Sequence, residues 1–368
     1  MKKKAIVIAE FPAPYRVGVF DELAREYTLT VFFDAKNEVT RDKDYSVKNI
    51  DFPHFFLNTK EGKRMFWKEM KHIKKYDFSL IYNFCIKYGV IAFTISKFKK
   101  IPIFLNADGG FINHHPIKDL VKKFIVKNCD MYFSSGSAAD AFFYEYGGTE
   151  TKIRHHHFTS LTNQDIMSSP SGTQEKTELK KILGLDTNFN YVISVGQFIH
   201  RKGFDLLLNA WEPVSEHKNW KLLIIGGGEL ESDLKEQILK SKNKDSVILM
   251  NFMEKSELIK YYKASDLFCL LTREDVWGLV VNEAMAVGLP VITTRQCVAG
   301  NELITDGENG YIVDCDDTAA ATNAITHLIE YEELRTKMAK NNVAKMQGQT
   351  IENIGKSHIK EIETFFNE

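Results

Sequence analysis

Short β-rich runs alternate with helix-like stretches along the chain, and the alternation occurs twice. In the first half the apolar runs are KAIVIAE, YTLTVFFD, DFSLIYNF, IPIFLNAD, DMYFSS and TKIRHHHF. After a break, the pattern resumes with NYVISVGQ, WKLLIIGGG, VILMNF, DLFCLLT, PVITT and GYIV. Strands that are separated by helices pair in parallel, with helices covering the sheet. The sequence therefore predicts an α/β protein with two doubly wound parallel sheets.

The break between the two halves covers residues 161–177, which are polar and include Pro170 and Gly172. This composition is typical of a linker, and 368 residues are enough for two domains. We predict an N-terminal domain over 1–165 and a C-terminal domain over 166–349. The last helical segment, about 350–368, is a candidate to pack back on the first domain. Ligands of such sheets bind beyond the carboxyl ends of the strands, so we expect the two domains to face a cleft.

Composition excludes several classes of protein. The formal net charge of −1 argues against a nucleic-acid partner, and no apolar run approaches the ~20 residues of a membrane span. The start, MKKKAIVIAE, is interpreted as a first strand and not as a signal peptide. The five cysteines form no CxxC pair, so neither a disulfide framework nor a zinc site is predicted. We expect a cytoplasmic protein.

Asp275 and Glu283 lie eight positions apart in the segment REDVWGLVVNEAMAVGLPVI, which opens with three charged residues and continues as an almost uninterrupted apolar run. In one continuous helix Asp275 and Glu283 would be ~80° and two turns apart, so they would not serve one small site. A loop followed by a helix that begins near Gly278 would instead place both beside the free amides of the first helical turn. Such a site suits a phosphate flanked by hydroxyl-bearing groups. The alternative is a capping acid and an exposed helical glutamate.

The same stretch, EDVWGLVVNEAMAVGLPVI, resembles the E-x7-E segment of the retaining GT-B glycosyltransferases of family 4, or glycosyl transferases group 1. In that family the first acid contacts the donor sugar, the second holds the nucleotide ribose, and the amides between them hold phosphate. The resemblance assigns these roles to Asp275, to Glu283, and to the amides of Gly278, Leu279 and Val280. Asp275 is one methylene shorter than the usual glutamate, which leaves the identity of the sugar open.

A second segment, SVGQFIHRKGFDLLLNAW, is similar to the strand–loop–helix of the family in which an Arg and a Lys clamp the diphosphate. There the cations offset charge on the departing nucleotide. Gly196 and Lys202 match the family pattern, whereas Gln197 stands in place of the usual Arg and brings no charge. Arg201 is the candidate for the missing cation. In isolation, HRKG is typical of a solvated turn.

Two further residues are predicted to bind the donor from a weaker resemblance to the family. Gly226, in LLIIGGGELESDL, corresponds to the family's IIGDGP loop, although a tight strand–helix turn explains it equally well. Phe252 follows a strand in the segment that contacts the base, and a core phenylalanine is the alternative. A dinucleotide-dependent oxidoreductase is disfavoured, because Glu231 occupies the third glycine position of G-x-G-x-x-G.

The resemblance is strong over about 190–315 and much weaker in the first half. The loop EFPAPYR replaces a glycine-rich loop, and Arg16 is predicted to bind phosphate or an acceptor anion. FLNADGGF occupies the place where many relatives carry a histidine near the reacting sugar. Asp108 with Gly109 is therefore predicted to bind the donor sugar or the acceptor, and an Asp-Gly turn is the alternative.

A basic amphipathic helix is predicted over residues 117–127. Its apolar residues follow the spacing i, i+3, i+4, i+7 and i+8, and lysines occupy much of the remainder. The apolar set is Ile117, Leu120, Val121, Phe124 and Ile125, and the basic set is Lys118, Lys122, Lys123 and Lys127. The pattern favours attraction to an anionic membrane surface. A helix packed on the core with a solvated lysine face is the alternative.

The resemblance implies a retaining glycosyltransferase that uses a nucleotide-diphosphate sugar, with UDP favoured over GDP, and needs neither metal nor cofactor. The acceptor would be a saccharide or a lipid-linked saccharide, as in bacterial surface-polysaccharide assembly, on the inner face of the plasma membrane. Asp108, Arg201, Lys202 and Asp275 are the predicted catalytic residues. The adjacent histidines at 155–157 predict no metal site, since only two of them share a strand face. A sugar-nucleotide epimerase and a non-catalytic nucleotide-sugar-binding protein remain alternatives.

Overall fold

The computed structural model describes residues 2–36, 49–82, 84–108, 112, 114–214 and 219–368. The chain divides into two compact units. The N-terminal unit comprises Met1–Ser160 and Gln349–Glu368, and the C-terminal unit comprises Leu161–Gly348. The predicted boundary at 165/166 falls just inside the C-terminal unit.

A parallel sheet forms the centre of the N-terminal unit. In the described part of this unit its seven strands are β1 (Lys4–Ala9), β2 (Thr28–Phe33), β3 (His54–Phe56), β4 (Phe78–Ile81), β5 (Ile103–Ala107), β6 (Met131–Ser134) and β7 (Ile153–His155). They lie in the order β3-β2-β1-β4-β5-β6-β7. The helices are α1 (Pro14–Glu26), α2 (Lys60–Lys71), α3 (Lys87–Phe98), α4 (Pro116–Asn128) and α5 (Ser137–Glu145). Short 3-10 turns cover Ile73–Lys75 and Glu150–Lys152.

The C-terminal unit repeats this architecture. Its sheet, as far as the structure describes it, has six strands: β8 (Asn190–Gln197), β9 (Trp220–Gly227), β10 (Val247–Asn251), β11 (Leu267–Leu270), β12 (Val291–Thr294) and β13 (Gly310–Val313). The order is β10-β9-β8-β11-β12-β13. The helices are α6 (Thr173–Ile182), α7 (Phe204–Val214), α8 (Glu231–Lys240), α9 (Lys255–Ala264), α10 (Leu279–Ala286), α11 (Val298–Leu303), α12 (Thr318–Glu330) and α13 (Glu332–Met346). Short 3-10 turns cover His200–Lys202 and Lys244–Ser246.

Both sheets reverse their strand order at one point, between β1 and β4 in the first unit and between β8 and β11 in the second. Strands in the middle of such sheets are buried on both faces and read as continuous apolar runs, which is why KAIVIA is almost entirely buried. The predicted fold class is confirmed: the chain is α/β, with two Rossmann-like doubly wound units. The reversal points are where sheets of this kind bind ligands.

The last helix, α14 (Ile351–Asn367), belongs to the N-terminal unit and packs against α1. Gly355 permits the close approach, because a Cβ added there would lie 2.3 Å from the Cβ of Glu22. On the same helix His358 is fully buried and stacks on Phe133, with ring centroids 3.8 Å apart. The chain therefore returns to its first unit after completing the second. No helix in the described ranges is both long and apolar enough to cross a membrane.

Candidate functional site

The carboxylate-bearing segment is a loop followed by a helix. Helix α10 begins at Leu279, and Gly278 is its N-cap in the left-handed region, with φ 98° and ψ 59°. Val281 donates the amide hydrogen bond to the Gly278 carbonyl, at 2.9 Å. The amides that precede Val281 in the first turn have no carbonyl acceptor within an α-helix, so they point beyond its end. The helix begins where the sequence predicts, and its end can receive an anion.

Gly278 is required by its surroundings as well as by its backbone angles. A Cβ at this position would lie 2.6 Å from Cys297 Sγ and 3.6 Å from Asp275 Oδ2. The loop is fixed against the segment that follows β12: the amide of Asp275 donates to the Gln296 carbonyl, at 2.9 Å, and Cys297 Sγ donates to the Trp277 carbonyl, at 3.3 Å. The loop therefore has no room for a side chain at the helix end.

Lys202 and Asp275 form an ion pair beside this helix end. Lys202 lies in the turn His200–Lys202 before α7, and its Nζ donates to Asp275 Oδ2. Both side chains are nearly buried, at 12% and 10% exposure. Arg201 Nη1 lies 4.0 Å from Asp275 Oδ1 and donates to the Glu274 carbonyl, at 3.2 Å. The structure thus brings together the predicted cations and the predicted sugar-binding acid.

Arg273, which sequence reasoning missed, joins the two loops. Its guanidinium donates to Asp205 Oδ1 and Oδ2, at 2.9 and 2.7 Å, and to the His200 carbonyl, at 2.9 Å. Its own amide donates to the Arg201 carbonyl, at 2.7 Å. Burial alone would raise the pKa of Asp205, but the hydrogen bonds from Arg273 lower it overall. Arg273 therefore holds the turn that carries Lys202 against the loop that carries Asp275.

Glu283 lies in the second turn of α10 and is half-buried. Tyr262 Oη donates to Glu283 Oε2, at 3.3 Å. Tyr262 is fully buried, and its burial together with the neighbouring Glu283 raises the pKa of the phenol well above its usual value. The tyrosine therefore stays a hydrogen-bond donor that orients the carboxylate. Sequence reasoning missed Tyr262, because only the fold brings α9 beside α10.

The remaining donor-side residues lie near the carboxyl ends of neighbouring strands. Gly196 and Gly226 are register partners in β8 and β9, and a Cβ on Gly226 would lie 1.9 Å from the Gly196 carbonyl oxygen. Gly196 is also beside Lys202, whose Cδ would be 3.9 Å from an added Cβ. Gln197 is exposed at the end of β8. Phe252 is 64% exposed, so the alternative of a core phenylalanine is wrong.

In the N-terminal unit, the buried Arg16 forms an ion pair with the half-buried Asp108. Arg16 Nη2 donates to Asp108 Oδ2, at 2.6 Å, and Asn106 Nδ2 donates to Asp108 Oδ1, at 2.5 Å. The guanidinium also lies over the ring of Tyr82, 4.4 Å from its centroid. The structure therefore joins the two residues predicted for the acceptor side. Gly109, predicted with them, lies outside the described residues.

The neighbouring histidines at 155–157 have separate hydrogen-bond partners. His155 Nε2 lies 2.8 Å from Asp140 Oδ2, while His156 is buried and its Nδ1 bonds to the His157 carbonyl, at 2.9 Å. Throughout the described ranges, no three His, Cys, Asp or Glu side chains are grouped so that they could hold a metal ion.

The family model described as "Glycosyl transferases group 1" matches residues 175–345, which is most of the C-terminal unit and all of the donor-side geometry above. The C-terminal unit is therefore similar to this family. Among curated relatives, an uncharacterised glycosyltransferase of Haemophilus influenzae is 28% identical over 67% of this chain and 64% of its own length. The lipopolysaccharide core biosynthesis mannosyltransferase LpsB of Rhizobium meliloti is 32% identical over 46% of this chain and 50% of its own length. The chain thus spans less than two thirds of the length of each of these relatives.

Solved structures extend the likeness beyond the group 1 unit. Anabaena Alr3699/HepE in complex with UDP matches with a TM-score of 0.80 at 17% identity, covering 99% of this chain and 100% of that one. A glycosyltransferase of Rickettsia africae matches with a TM-score of 0.79 at 14% identity, covering 100% of this chain and 99% of that one. At these identities the likeness shows a shared fold, that of the GT-B glycosyltransferases, for both units.

Proposed function

We propose that the protein is a glycosyltransferase that moves a sugar from a nucleotide-diphosphate sugar to a saccharide or a lipid-linked saccharide. The reaction would retain the anomeric configuration and need no metal ion or other cofactor. The observation that carries the proposal is the Lys202–Asp275 ion pair beside the N-terminus of α10, within a unit of the group 1 family. It combines cation, amides and carboxylate in the arrangement that a sugar diphosphate requires.

The leaving diphosphate would be held by Lys202, Arg201 and the first-turn amides of α10. A lysine ammonium has three N–H donors, and the hydrogen bond to Asp275 leaves donors for a phosphate oxygen. Fixed cations and helix-end amides stabilise the negative charge that grows on the departing nucleotide. These groups supply the electrostatic role that a metal ion fills in other transferases, so chelators are expected to leave the rate unchanged.

The two carboxylates would hold the hydroxyl groups on either side of the diphosphate. Asp275 can accept hydrogen bonds from the sugar, and its pairing with Lys202 fixes its position. Glu283 receives one hydrogen bond from Tyr262 and can accept others from the ribose. A UDP-sugar is the first candidate and a GDP-sugar the second. UDP is favoured because Alr3699/HepE, which shares the fold, has been solved with UDP and with UDP-glucose.

The donor side is tested by a thermal-shift screen of UDP, GDP, ADP and their sugars, because a ligand stabilises the native state by RT ln(1 + [L]/Kd). Calorimetry would follow, and then product analysis by NMR with and without EDTA. We expect UDP or a UDP-sugar to give the largest shift, and the released product to keep the donor's anomeric configuration. Inverted product, or a chelator-sensitive rate, would contradict the mechanism. Conversion of the donor to its epimer without release of nucleoside diphosphate would establish the epimerase instead.

The acceptor side is proposed to lie against an anionic membrane surface through α4. Ile117, Leu120 and Phe124 on this helix are 71%, 70% and 56% exposed, respectively. Ile125 of the predicted apolar set is buried, and Val121 packs against the core of the unit. The three exposed residues form the part of the apolar face that is open to a membrane. At ~100° per residue, Lys123 and Lys127 lie next to Leu120, on one side of the exposed apolar arc. Both lysines are exposed.

An exposed apolar stripe beside lysines is the pattern of helices that lie in the membrane interface, with the apolar groups at the acyl boundary and the cations on anionic headgroups. Two relatives have names that refer to lipid-containing products: the lipopolysaccharide core biosynthesis mannosyltransferase LpsB, and the alpha-monoglucosyldiacylglycerol synthase of Streptococcus pneumoniae, which is 25% identical over 76% of this chain. Both names support an acceptor held at a membrane.

Co-sedimentation with vesicles tests this surface. Phosphatidylglycerol vesicles are expected to bind the wild type at low salt, and neutral phosphatidylcholine vesicles are expected to bind it much less. Leu120→Gln with Phe124→Gln should abolish the binding. Leu239→Gln is the matched control, since Leu239 is 71% exposed on α8 of the other unit. Equal sedimentation of the wild type and the double variant would show that α4 does not bind the membrane surface.

A further inference from the structure

The helices α2, α3 and α4 form one layer on the N-terminal sheet, in a part of the chain that is strongly basic. Phe66 of α2, Phe93 of α3 and Ile125 of α4 belong to one buried cluster, whereas α1 and α14 pack into another. Residues 60–128, which contain the three helices, hold 15 Lys and Arg but only five Asp and Glu, although the whole chain has 48 basic and 49 acidic residues. Such an excess of positive charge attracts an anionic partner.

The most exposed large apolar side chain among the described residues lies at the end of α3. Phe98, the last residue of that helix, is 87% exposed. Lys97, Lys99 and Lys100 beside it are exposed as well, and no Asp or Glu occurs between residues 87 and 107. A phenylalanine ring gains free energy when it leaves water, and the lysines favour anions. The end of α3 therefore suits a partner with an apolar interior and an anionic surface.

The turn that ends α3 has a lysine where glycine is usual. The amide of Ile101 donates to the Ser96 carbonyl, at 2.9 Å, and the amide of Lys100 donates to the Lys97 carbonyl, at 3.1 Å. These are the hydrogen bonds of a Schellman motif, whose left-handed residue is most often glycine. Lys100 is that residue, with φ 58°, an angle that is unfavourable for a side chain with a Cβ. A cation also stabilises a helix end, but Lys97 and Lys99 already supply two. Retention of Lys100 at a strained position thus indicates a role outside the fold.

Two contacts place the end of α3 beside the last turns of α4. The rings of Phe93 and Phe124 pack edge to face, with centroids 5.9 Å apart and an interplanar angle of 78°. One turn further along both helices, Lys97 Nζ donates to the Asn128 carbonyl, at 2.8 Å. Because the paired positions advance together, the two helices run in the same direction and end side by side. Phe98 therefore lies at the end of the layer where α4 also ends.

We propose that the C-terminal end of α3 is a second membrane anchor, in which Phe98 enters the interface of an anionic phospholipid bilayer and Lys99 and Lys100 bind its headgroups. The inference rests on the proposed function for the statement that α4 lies against the same bilayer. One amphipathic helix alone leaves the unit free to rock about the helix axis. A second anchor on the neighbouring helix prevents that rotation and so fixes the orientation of the N-terminal unit on the membrane.

Vesicle co-sedimentation of the full chain measures the contribution of each group. Phe98→Gln should weaken binding to phosphatidylglycerol vesicles by about tenfold, because the ring no longer leaves water. Lys100→Gly should weaken it by about fivefold, since a lysine at an anionic surface contributes about that factor, and should not change the weaker binding to phosphatidylcholine. Leu239→Gln and Lys340→Gln are the matched controls for a lost apolar group and a lost charge, because both residues are exposed on the C-terminal unit.

Lys100→Gly also separates a membrane role from a structural one. Glycine adopts the left-handed angle without strain, so calorimetric unfolding should show a higher midpoint in this variant while its vesicle binding falls. A folding defect would lower both quantities together. The opposite signs therefore identify a lysine that acts on the bilayer.

Two results would overturn the second anchor: Phe98→Gln or Lys100→Gly binds anionic vesicles like the wild type. Loss of binding in Lys100→Gly without loss in Phe98→Gln would indicate a site for a soluble polyanion instead. If Leu120→Gln with Phe124→Gln abolishes binding while Phe98→Gln does not weaken it, the membrane contact of α4 is supported and the second anchor alone is refuted. If the wild type binds no anionic vesicle, both membrane contacts are refuted, and the UDP thermal shift still tests the donor side separately.

Discussion

Substituting Gly278 with alanine should destabilise the C-terminal unit by about 2–5 kcal/mol. Two effects contribute. The backbone angle φ of 98° is left-handed, which costs a residue with a Cβ about 1–2 kcal/mol. The new methyl would lie 2.6 Å from the buried Cys297 Sγ, and such overpacking costs about 1–3 kcal/mol more. The displaced loop carries Asp275, so UDP affinity should fall with stability.

A double-mutant cycle separates the two effects. Adding Cys297→Ala removes the sulfur and should recover the steric part, leaving only the cost of the backbone angle. Gly307→Ala is the control for that remainder, because Gly307 has φ 76° and nothing lies within 4 Å of a Cβ added there. Its destabilisation should match that of the double variant, relative to Cys297→Ala, within about 0.5 kcal/mol.

Urea unfolding followed by tryptophan fluorescence measures these differences. Three of the four tryptophans, Trp211, Trp220 and Trp277, lie in the C-terminal unit, so the signal reports chiefly on that unit. A coupling free energy near zero between positions 278 and 297 would refute the steric argument. Destabilisation of Gly278→Ala no larger than that of Gly307→Ala would refute it as well.

Three further variants test the site and its surroundings. Lys202→Ala should weaken nucleotide-diphosphate binding by roughly 1.5–3 kcal/mol in calorimetry, because a charge-assisted hydrogen bond is lost. Glu283→Gln should weaken nucleotide binding in the folded protein, since the ribose loses a charged acceptor. His156 has a lowered pKa in the folded state, so the unfolded chain binds more protons and stability falls as the pH drops below ~6.5. Between pH 7.5 and 5.5 the wild type should therefore lose more stability in urea than His156→Asn.

The two donor-site variants have matched controls. Lys235→Ala and Glu231→Gln remove a solvent-facing ion pair on α8 and should leave nucleotide binding unchanged. Unaltered nucleotide affinity in Lys202→Ala would show that Lys202 does not contact the donor. Unaltered nucleotide affinity in Glu283→Gln would show that Glu283 has only a structural role. For His156, parallel pH profiles of wild type and variant would show that its imidazole titrates normally.

The sequence predicts the fold well because each central strand is buried on both faces and therefore carries its own signal. It also predicts the junction at Gly278, since a loop before the helix was the one arrangement that let two acids flank a single site. The sequence does not predict the pairing of Lys202 with Asp275 or the hydrogen bonds from Arg273 to Asp205. They join residues about 70 positions apart, and no local pattern specifies them.

Burial in the N-terminal unit was harder to predict. The helical spacing of Ile117, Leu120 and Phe124 shows an apolar face, but which arc packs inward depends on the neighbouring helices, and this face is largely exposed. His358 illustrates the limit more sharply, because α14 brings its Nε2 within 3.2 Å of Asn106 Oδ1, 252 positions earlier. Contacts of that range depend on the whole topology.

The return of α14 to the first unit governs the order in which the protein can mature on the ribosome. Domains usually fold as they emerge, amino-terminal first, but here the first unit lacks its final helix until the entire second unit has been synthesised. Until then the face of α1 that receives α14 stays uncovered, and the second unit is free to fold as an uninterrupted segment. The unit that begins the chain is therefore expected to be the last to reach its native state.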